Sequence, residues 1–338
     1  MYTRHLLQPR PYPRKFSLTV PMYNEEAAVP FLRKAIERFM AELQGEAEVV
    51  LVNDGSSDST LATITAWAEE DPRVKVIHLS RNFGHQIAST AGLDFATGDA
   101  VVLLDADLQD PLPVVHEMIA RYREGYDVVY GQRKSRSGET PFKKLTAWLF
   151  YRLMRILVFE DLPVDTGDFR LISRPCLDGL RQLRETHRFL RGMVAWVGYP
   201  QIGVSYERAQ RVAGRTNYSP RKMLAFAWTA ATSFSAAPLR LSVLLGVVAT
   251  LFGVEEAARA LLVHLLHQYA VPGWTSLMVV VSVIGGAILI SIGILGEYVG
   301  KLYEQTKNRP LYLVSRTFNV ATSEPGAVAP PKVQETHP

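Results

Sequence analysis

A single cysteine, Cys176, stands in a chain of 338 residues, so no disulfide can form within it. Such a chain suits a reducing compartment. A continuous apolar stretch near the start is also missing: "MYTRHLLQPRPYPRKF" carries charge and proline instead, and no cleaved signal peptide is expected. No repeat of solenoid period is present. Charge of one sign is scarce too. Lys and Arg number 37 against 33 Asp and Glu, a formal net charge of +4, which falls short of a nucleic-acid coat and argues against a nucleic-acid partner. What the chain does have is apolar bulk. Hydrophobic residues make up 48 %, enough to fill a core and leave a surplus, in a length that holds one large domain or two ordinary ones.

The first half alternates two patterns. "FSLTVPMY", "EVVLVND", "VKVIHLS", "DAVVLLDAD" and "YDVVYGQR" are short apolar runs that read as strands. Between them, "VPFLRKAIERFMAEL", "STLATITAWAEED" and "LPVVHEMIARYREG" carry helical periodicity. Nearly all-apolar strands separated by helices predict an α/β fold, with a mostly parallel sheet covered on both faces. In such sheets ligands bind beyond the carboxyl ends of the strands. The polar clusters "YNEE", "NDGSSD", "SRNFG", "DADLQD" and "GQRKSR" all fall at those ends.

The second half changes character. Residues 142–160, "FKKLTAWLFYRLMRILVFE", mix aromatic and basic residues at helical spacing and read as an interfacial helix, with an ordinary core helix as the alternative; residues 218–235 read as a second interfacial helix. Positions 274–296 contain no charged residue, and ~23 helical residues cross ~30 Å of hydrocarbon. An earlier apolar segment begins near Pro238 and continues into a stretch holding Glu255, Glu256 and Arg259, where Glu255 and Arg259 have i, i+4 spacing. The expected organisation is a flexible N-terminus (1–15), a catalytic domain (16–235), a transmembrane hairpin (236–300, helices about 238–266 and 274–297) and a tail (301–338). Lys and Arg flank both outer ends of the hairpin, and neither occurs in the connecting "HQYAVPGW". Positive residues stay inside, so the catalytic domain and both termini are expected on the cytoplasmic side of the inner membrane.

"LLDADLQDP", residues 103–111, carries the densest chemistry. Asp105 and Asp107 follow a buried strand and can project into one cleft, where two carboxylates repel unless one is protonated or a cation joins them. Hard Mg²⁺ or Mn²⁺ suits two carboxylates and the Gln109 amide, and completes its shell with water and phosphate oxygens. A solvated strand-end turn is the alternative. In "VNDGSSDST", Asp54 can accept from a base or ribose, and the Gly-Ser backbone around Ser56 can approach a nucleotide closely; a helix cap explains that turn equally well in isolation.

Together, "SLTVPMYNEE", "VLVNDGSSDST", "LSRNFG", "DADLQDP", "TGDFRLISR", "RFLRGMVAWVGY" and "SIGILGEYVGKLYEQTKNRPLYLVS" resemble family 2 glycosyltransferases of the polyprenyl-phosphate branch, which includes dolichol-phosphate mannose synthases and GtrB-type enzymes. The similarity covers roughly residues 16–316. It implies a GT-A fold (Rossmann-like, with amphipathic interfacial helices and two transmembrane helices), a nucleotide-diphosphate sugar donor, Mg²⁺ or Mn²⁺, and a membrane polyprenyl phosphate as acceptor. Carried over by motif, Pro21, Tyr23, Glu25, Asp54 and Ser56 belong to the nucleotide pocket, with Arg81 and Arg133 as further donor-site residues. Asp107 and Gln109 are the direct metal ligands, and Asp105 lies beside ribose and metal. Asp168 of "GDFR" is the carboxylate near the acceptor phosphate, with Asp165 as its competitor. Arg170 is a bidentate phosphate ligand or else the partner of a structural ion pair. Arg215 of "GRTNY" and Lys222 are the acceptor-phosphate cations.

The resemblance implies inverting transfer of a hexose to the lipid phosphate, glucose from UDP-glucose first, with GDP-mannose or another UDP-sugar as alternatives. A separate flippase and a downstream glycosyltransferase of cell-envelope glycosylation follow from that role. A processive synthase would carry a Gln-x-x-Arg-Trp element, which the sequence lacks. A non-catalytic scaffold would be expected to have lost the metal carboxylates. Gly296 and Gly300 permit close helix packing, and the GtrB resemblance implies a homo-oligomer, a tetramer.

Overall fold

Phe16, Leu18 and Val20 alternate with Ser17 and Thr19 along the first strand, and all five are fully buried, because that strand runs through the middle of the sheet. The structure is a computed structural model that describes residues 7–133, 166–207, 237–267 and 274–320. The segments 142–160 and 218–235, and Asp165, Arg215 and Lys222, lie outside the described residues.

The chain divides into two units, residues 1–148, 161–217 and 310–338 in one and residues 149–160 and 218–309 in the other. The first is built on an eight-stranded sheet. Its strands are β1 (Lys15–Met22), β2 (Glu46–Asn53), β3 (Val74–Leu79), β4 (Ala100–Leu103), β5 (Val128–Arg133), β6 (Thr166–Ser173), β7 (Gln201–Tyr206) and β8 (Val314–Phe318). The order is β7-β5-β6-β4-β1-β2-β3-β8. β4, β1, β2 and β3 are mutually parallel. β6 is antiparallel to both its neighbours, and β8 is antiparallel to β3. The sheet is therefore mixed around a parallel centre.

Helices cover both faces. Val49 and Leu51 point into a core shared with α1 (Val29–Glu42), α2 (Thr60–Glu70) and α4 (Val114–Arg123). Val50 and Val52 point the other way, onto Ala88, Ala91 and Phe95 of α3 (His85–Phe95), as the two-residue period of a strand requires. Gly92 brings α3 close to β1: a Cβ there would lie 3.2 Å from Thr19 Cβ. α5 (Arg174–Gln182) follows β6, with Ser173 Oγ accepting from Cys176 N–H as its cap. α6 (Leu190–Trp196) buries Leu190, Met193 and Val194.

The second unit contains α7 (Ala237–His267) and α8 (Trp274–Thr306). Both are long and apolar enough to cross a membrane, and large side chains such as Leu251, Leu289 and Ile290 are exposed on them. Gly253 packs against Ile284, and Ser291 Oγ lies 3.4 Å from the Ser242 carbonyl. Two expectations change here. Arg259 pairs with Glu256 at 3.6 Å, since i, i+3 neighbours share a helix face as readily as i, i+4 neighbours. The segment after the hairpin is also more than a tail. α8 runs on to Thr306, and residues 314–318 form a strand on β3. Three consecutive exposed residues, Ser315, Arg316 and Thr317, hide this edge strand from a search for apolar runs.

Candidate active site

The carboxyl ends of β1, β2, β3 and β4 form one rim of the sheet, and the polar clusters of the sequence meet there. Pro21 is buried in β1 opposite Val52, and Tyr23 just beyond it is exposed. Asn24 adopts φ 55°, a left-handed conformation that asparagine tolerates. From there its backbone N–H donates to Ser56 Oγ at 3.0 Å, and its side-chain oxygen accepts from Ser57 N–H at 2.8 Å. Glu25 N–H donates to Thr60 Oγ1. Ser56 Oγ donates in turn to Asn53 Oδ1. The β1 and β2 ends are thus laced into one wall, and Ser56 is a member of it rather than a helix cap.

Asp54 is buried, and its two oxygens accept from Phe83 N–H at 2.7 Å and Gly84 N–H at 2.9 Å. Burial raises its carboxyl above the ordinary range against the pull of those bonds. Gly55 permits this joint. It has φ +66°, and a Cβ on it would lie 2.5 Å from the Arg81 carbonyl carbon. Arg81 stacks over Phe83 at 4.1 Å. Arg133 closes β5 at the same rim, in register with Tyr206.

The acidic turn follows β4. Leu108 is held at φ 53°, a sparsely populated conformation for a side chain of its kind. Asp107 is buried and accepts from Gln109 N–H at 3.1 Å. Asp110 is buried and accepts from the Tyr206 hydroxyl, while the Tyr206 ring packs edge-on against Phe169. Asp110 therefore anchors the turn to β7.

Asp168 reaches this turn through strand register. β4 and β6 run antiparallel with Leu103 opposite Arg170, which brings Asp168 to the end of β4 where Asp105 follows, and His85 Nε2 lies 3.6 Å from Asp105 and 3.2 Å from Asp168. Asp168 is buried. Its Oδ1 accepts from Arg191 Nε at 2.8 Å, and its Oδ2 lies 3.2 Å from both His85 Nε2 and Gln86 Nε2. Burial opposes ionisation, but Arg191 and His85 outweigh it and hold the Asp168 carboxyl well below the usual range. Asp105 behaves in the opposite way. Loss of solvent comes first, and the Asp168, Asp110 and Asp107 carboxylates add to it; against the pull of His85 they push Asp105 up to about 6. Its side chain remains 32 % exposed, with His85 Nε2 at 3.6 Å.

Arg170 differs from the expectation of a phosphate-gripping fork. Its side chain is 5 % exposed and donates to the carbonyls of Asp168 and Gly167. Its Nη2 lies 4.0 Å from Asp168 Oδ1, the structural ion pair that is the alternative reading, and burial lowers its pKa to about 10. The side chains within hydrogen-bond distance of the Asp168 carboxylate, His85, Gln86 and Arg191, are ones sequence reasoning passed over. Their signal was present in "NFGHQ", directly after a strand end, and in "RFLRG".

The donor set fits a divalent cation. Asp105, Asp107 and Gln109 share one short turn, where burial first and the Asp168, Asp110 and Asp107 carboxylates after it raise the Asp105 carboxyl, and a cation would relieve the repulsion between those carboxylates. Among the described residues, no group of three or more His, Cys, Asp or Glu side chains is arranged to hold a metal ion by itself.

A glycosyl transferase family 2 model matches residues 17–181. A Bacillus subtilis (strain 168) protein named uncharacterized glycosyltransferase YkcC is 42 % identical over 90 % of this chain and 95 % of its own. The chain belongs to glycosyl transferase family 2. Another member, the prophage bactoprenol glucosyl transferase homolog of Escherichia coli (strain K12), is 39 % identical over 89 % of this chain and 99 % of that protein. The bactoprenol glucosyl transferase of Shigella phage SfII is 39 % identical over 90 % and 98 %. Among solved structures, mannosyltransferase PcManGT from Pyrobaculum calidifontis, in complex with GDP-Man and Mn²⁺, is 17 % identical with a TM-score of 0.44, covering 85 % of this chain and 90 % of that one. The mixed sheet with a parallel centre, covered by helices on both faces, is the GT-A architecture of this family.

Proposed function

We propose that this glycosyltransferase moves glucose from UDP-glucose to a membrane polyprenyl phosphate, with inversion at the anomeric carbon. The observation that carries the reading is the kinship to bactoprenol glucosyl transferases across nearly their full length. It is supported by the meeting of the acidic turn and Asp168 at one sheet rim, and by two helices fit to cross a membrane.

In this reading Pro21, Tyr23, Glu25, Asp54 and Ser56 form the nucleotide wall, with Arg81 and Arg133 at its edge. Asp107 and Gln109 would hold Mg²⁺ or Mn²⁺, with Asp105 beside ribose and metal. When bound, the cation supplies electrostatic stabilisation to the departing diphosphate. An acceptor phosphate oxygen attacks the anomeric carbon from the face opposite the nucleotide; the new bond forms as the bond to the diphosphate breaks. A phosphate monoester has a second pKa near ~6, so it enters largely as the dianion and needs no proton removed. Asp168, held ionised by Arg191 and His85, is a poor proton acceptor and serves as an orienting group. Arg170 stiffens the same strand, and Asp165, Arg215 and Lys222 complete the acceptor side. Basic residues on both outer flanks of the apolar helices support a cytoplasmic catalytic unit, with a separate flippase and a downstream glycosyltransferase using the product.

Transfer of radiolabelled sugar to a short polyprenyl phosphate tests this. A panel of UDP- and GDP-sugars with Mg²⁺ or Mn²⁺ should give a lipid-linked product with UDP-glucose. No product with any donor would overturn the enzyme reading, and a product with GDP-mannose alone would overturn the donor assignment.

A further inference from the structure

The acceptor phosphate, entering as a dianion, must approach a rim already crowded with Asp105, Asp107, Asp110 and Asp168. It can stay only where a fixed cation offsets them. Two arginines expected or available nearby do not offer one. Arg170 is 5 % exposed and committed to its own strand's carbonyls. Arg188 is buried and donates to the Leu183 carbonyl at 2.6 Å.

Arg191 is placed differently. Its side chain keeps 30 % of its surface open, and its Nε is fixed on Asp168 Oδ1 at 2.8 Å. The backbone beneath it is fixed as well. Gln86 donates from Nε2 to Asp168 Oδ2 and accepts on Oε1 from Leu190 N–H at 2.9 Å. Asp168, Gln86, Leu190 and Arg191 thus close a ring of bonds joining β6, α3 and α6. Phe189, Leu190, Met193 and Val194 bury the apolar side of α6, so the ring rests on a packed base. A guanidinium whose plane is set by a carboxylate on one edge is preorganised for a planar, charge-assisted contact with phosphate.

We propose that Arg191 binds the acceptor phosphate, with Asp168 and Gln86 as the positioning residues that aim it. This rests on the lipid-phosphate acceptor of the reading above. Asp168 then has a task that needs its charge and never its basicity: it holds a cation between itself and an incoming anion.

The test uses the full chain in detergent with UDP-glucose, a divalent cation and a short-chain polyprenyl phosphate. Arg191→Gln should raise the KM for polyprenyl phosphate about tenfold or more, the scale of losing a charged hydrogen bond, while the donor KM stays within about twofold. Arg191→Lys, which keeps charge and loses the fork, should fall between. Combined with Asp168→Asn, Arg191→Gln should be markedly non-additive, because the second change removes a partner already lost. Thermal melting separates binding from folding: where Arg191→Gln melts early, Arg191→Lys decides. The proposal is overturned if acceptor and donor KM move together in a variant that melts like wild type, or if kcat alone falls. A wild-type chain that transfers sugar to no polyprenyl phosphate defeats the functional reading and this inference with it, whereas active wild type with an unmoved acceptor KM in the variants defeats only the inference.

Discussion

Asp168 accepts from Arg191 Nε at 2.8 Å through one oxygen, while its other oxygen lies 3.2 Å from His85 Nε2. A carboxylate clasped by two cationic or potentially cationic groups stays ionised and holds its proton affinity low. Asp168→Asn should therefore lower kcat/KM by about 10- to 100-fold, the effect of disturbed positioning, and leave the shape of the pH–rate profile between about pH 6 and 9 unchanged. A profile that loses its acidic limb in the variant would return Asp168 to the role of base.

The acidic turn makes a different prediction. Asp107→Ala should weaken metal-dependent donor binding and cut transfer by about 100-fold or more, as removal of one fixed electrostatic stabiliser does. Stripping the protein with EDTA should abolish transfer, and Mg²⁺ or Mn²⁺ should restore it. Titration calorimetry with UDP, with and without the cation, checks the binding half. Equal UDP affinity in both conditions would count against a metal held by this turn.

Gly55 sits at φ +66° against the backbone of Arg81 and Asn82. Gly55→Ala adds both a left-handed penalty and an overlap that backbone atoms cannot yield to cheaply, about 2 kcal/mol or more together. The variant should melt earlier and bind the nucleotide more weakly, because the same joint carries Asp54 and Ser56.

Far from that rim, Glu48 is buried with Lys15 at 2.9 Å and Lys75 at 3.1 Å. Burial alone would raise its carboxyl. Bonds from Ser17 Oγ, Thr97 N–H, Thr97 Oγ1 and Lys15 outweigh burial and hold it at about 2, below its ordinary 4.5. A depressed folded pKa contributes stability that is complete above the unfolded value and is lost as pH falls from there through the folded value. Thermal stability should decline between about pH 4.5 and 2 in wild type, with a shallower decline in Glu48→Gln. At neutral pH that variant should be less stable by about 3 kcal/mol, the cost of breaking a buried pair.

The tyrosine of the returning segment gives the last prediction. Tyr312 donates its hydroxyl to Asp94 Oδ2 at 2.8 Å, and Asp94 also takes Arg184 at 2.9 Å. Tyr312→Phe should destabilise the sheet unit by about 1 kcal/mol. Removing residues 310–338 should cost far more, since it also bares the β3 edge.

The parallel centre of the sheet was legible because strands buried on both faces read as unbroken apolar runs, as in Val49 to Val52. β6 escaped that test because Asp168 and Arg170, both buried, interrupt it. β8 escaped it because Ser315, Arg316 and Thr317 face solvent along an edge. α3 was hidden for a further reason: close approach to β1 demands Ala88, Ala91 and Gly92 where a helix search looks for large apolar residues. At the site, motifs adjacent in sequence were readable, such as Asp105, Asp107 and Gln109. The ring around Asp168 was not, because Gln86 and Leu190 are brought together by tertiary packing across 104 positions of chain.

β8 pairs with β3 and caps that edge of the sheet, yet it is the last of the described strands to be synthesised. Both hydrophobic helices leave the ribosome before it. About 230 residues separate the two strands, so at ~5–20 residues per second β3 waits on the order of ten seconds or more with its edge open. The sheet unit is therefore completed only by a chain that has already passed through the hairpin. A product released early, within α7 or α8, lacks β8 and leaves the β3 edge bare, an open template for pairing with another chain.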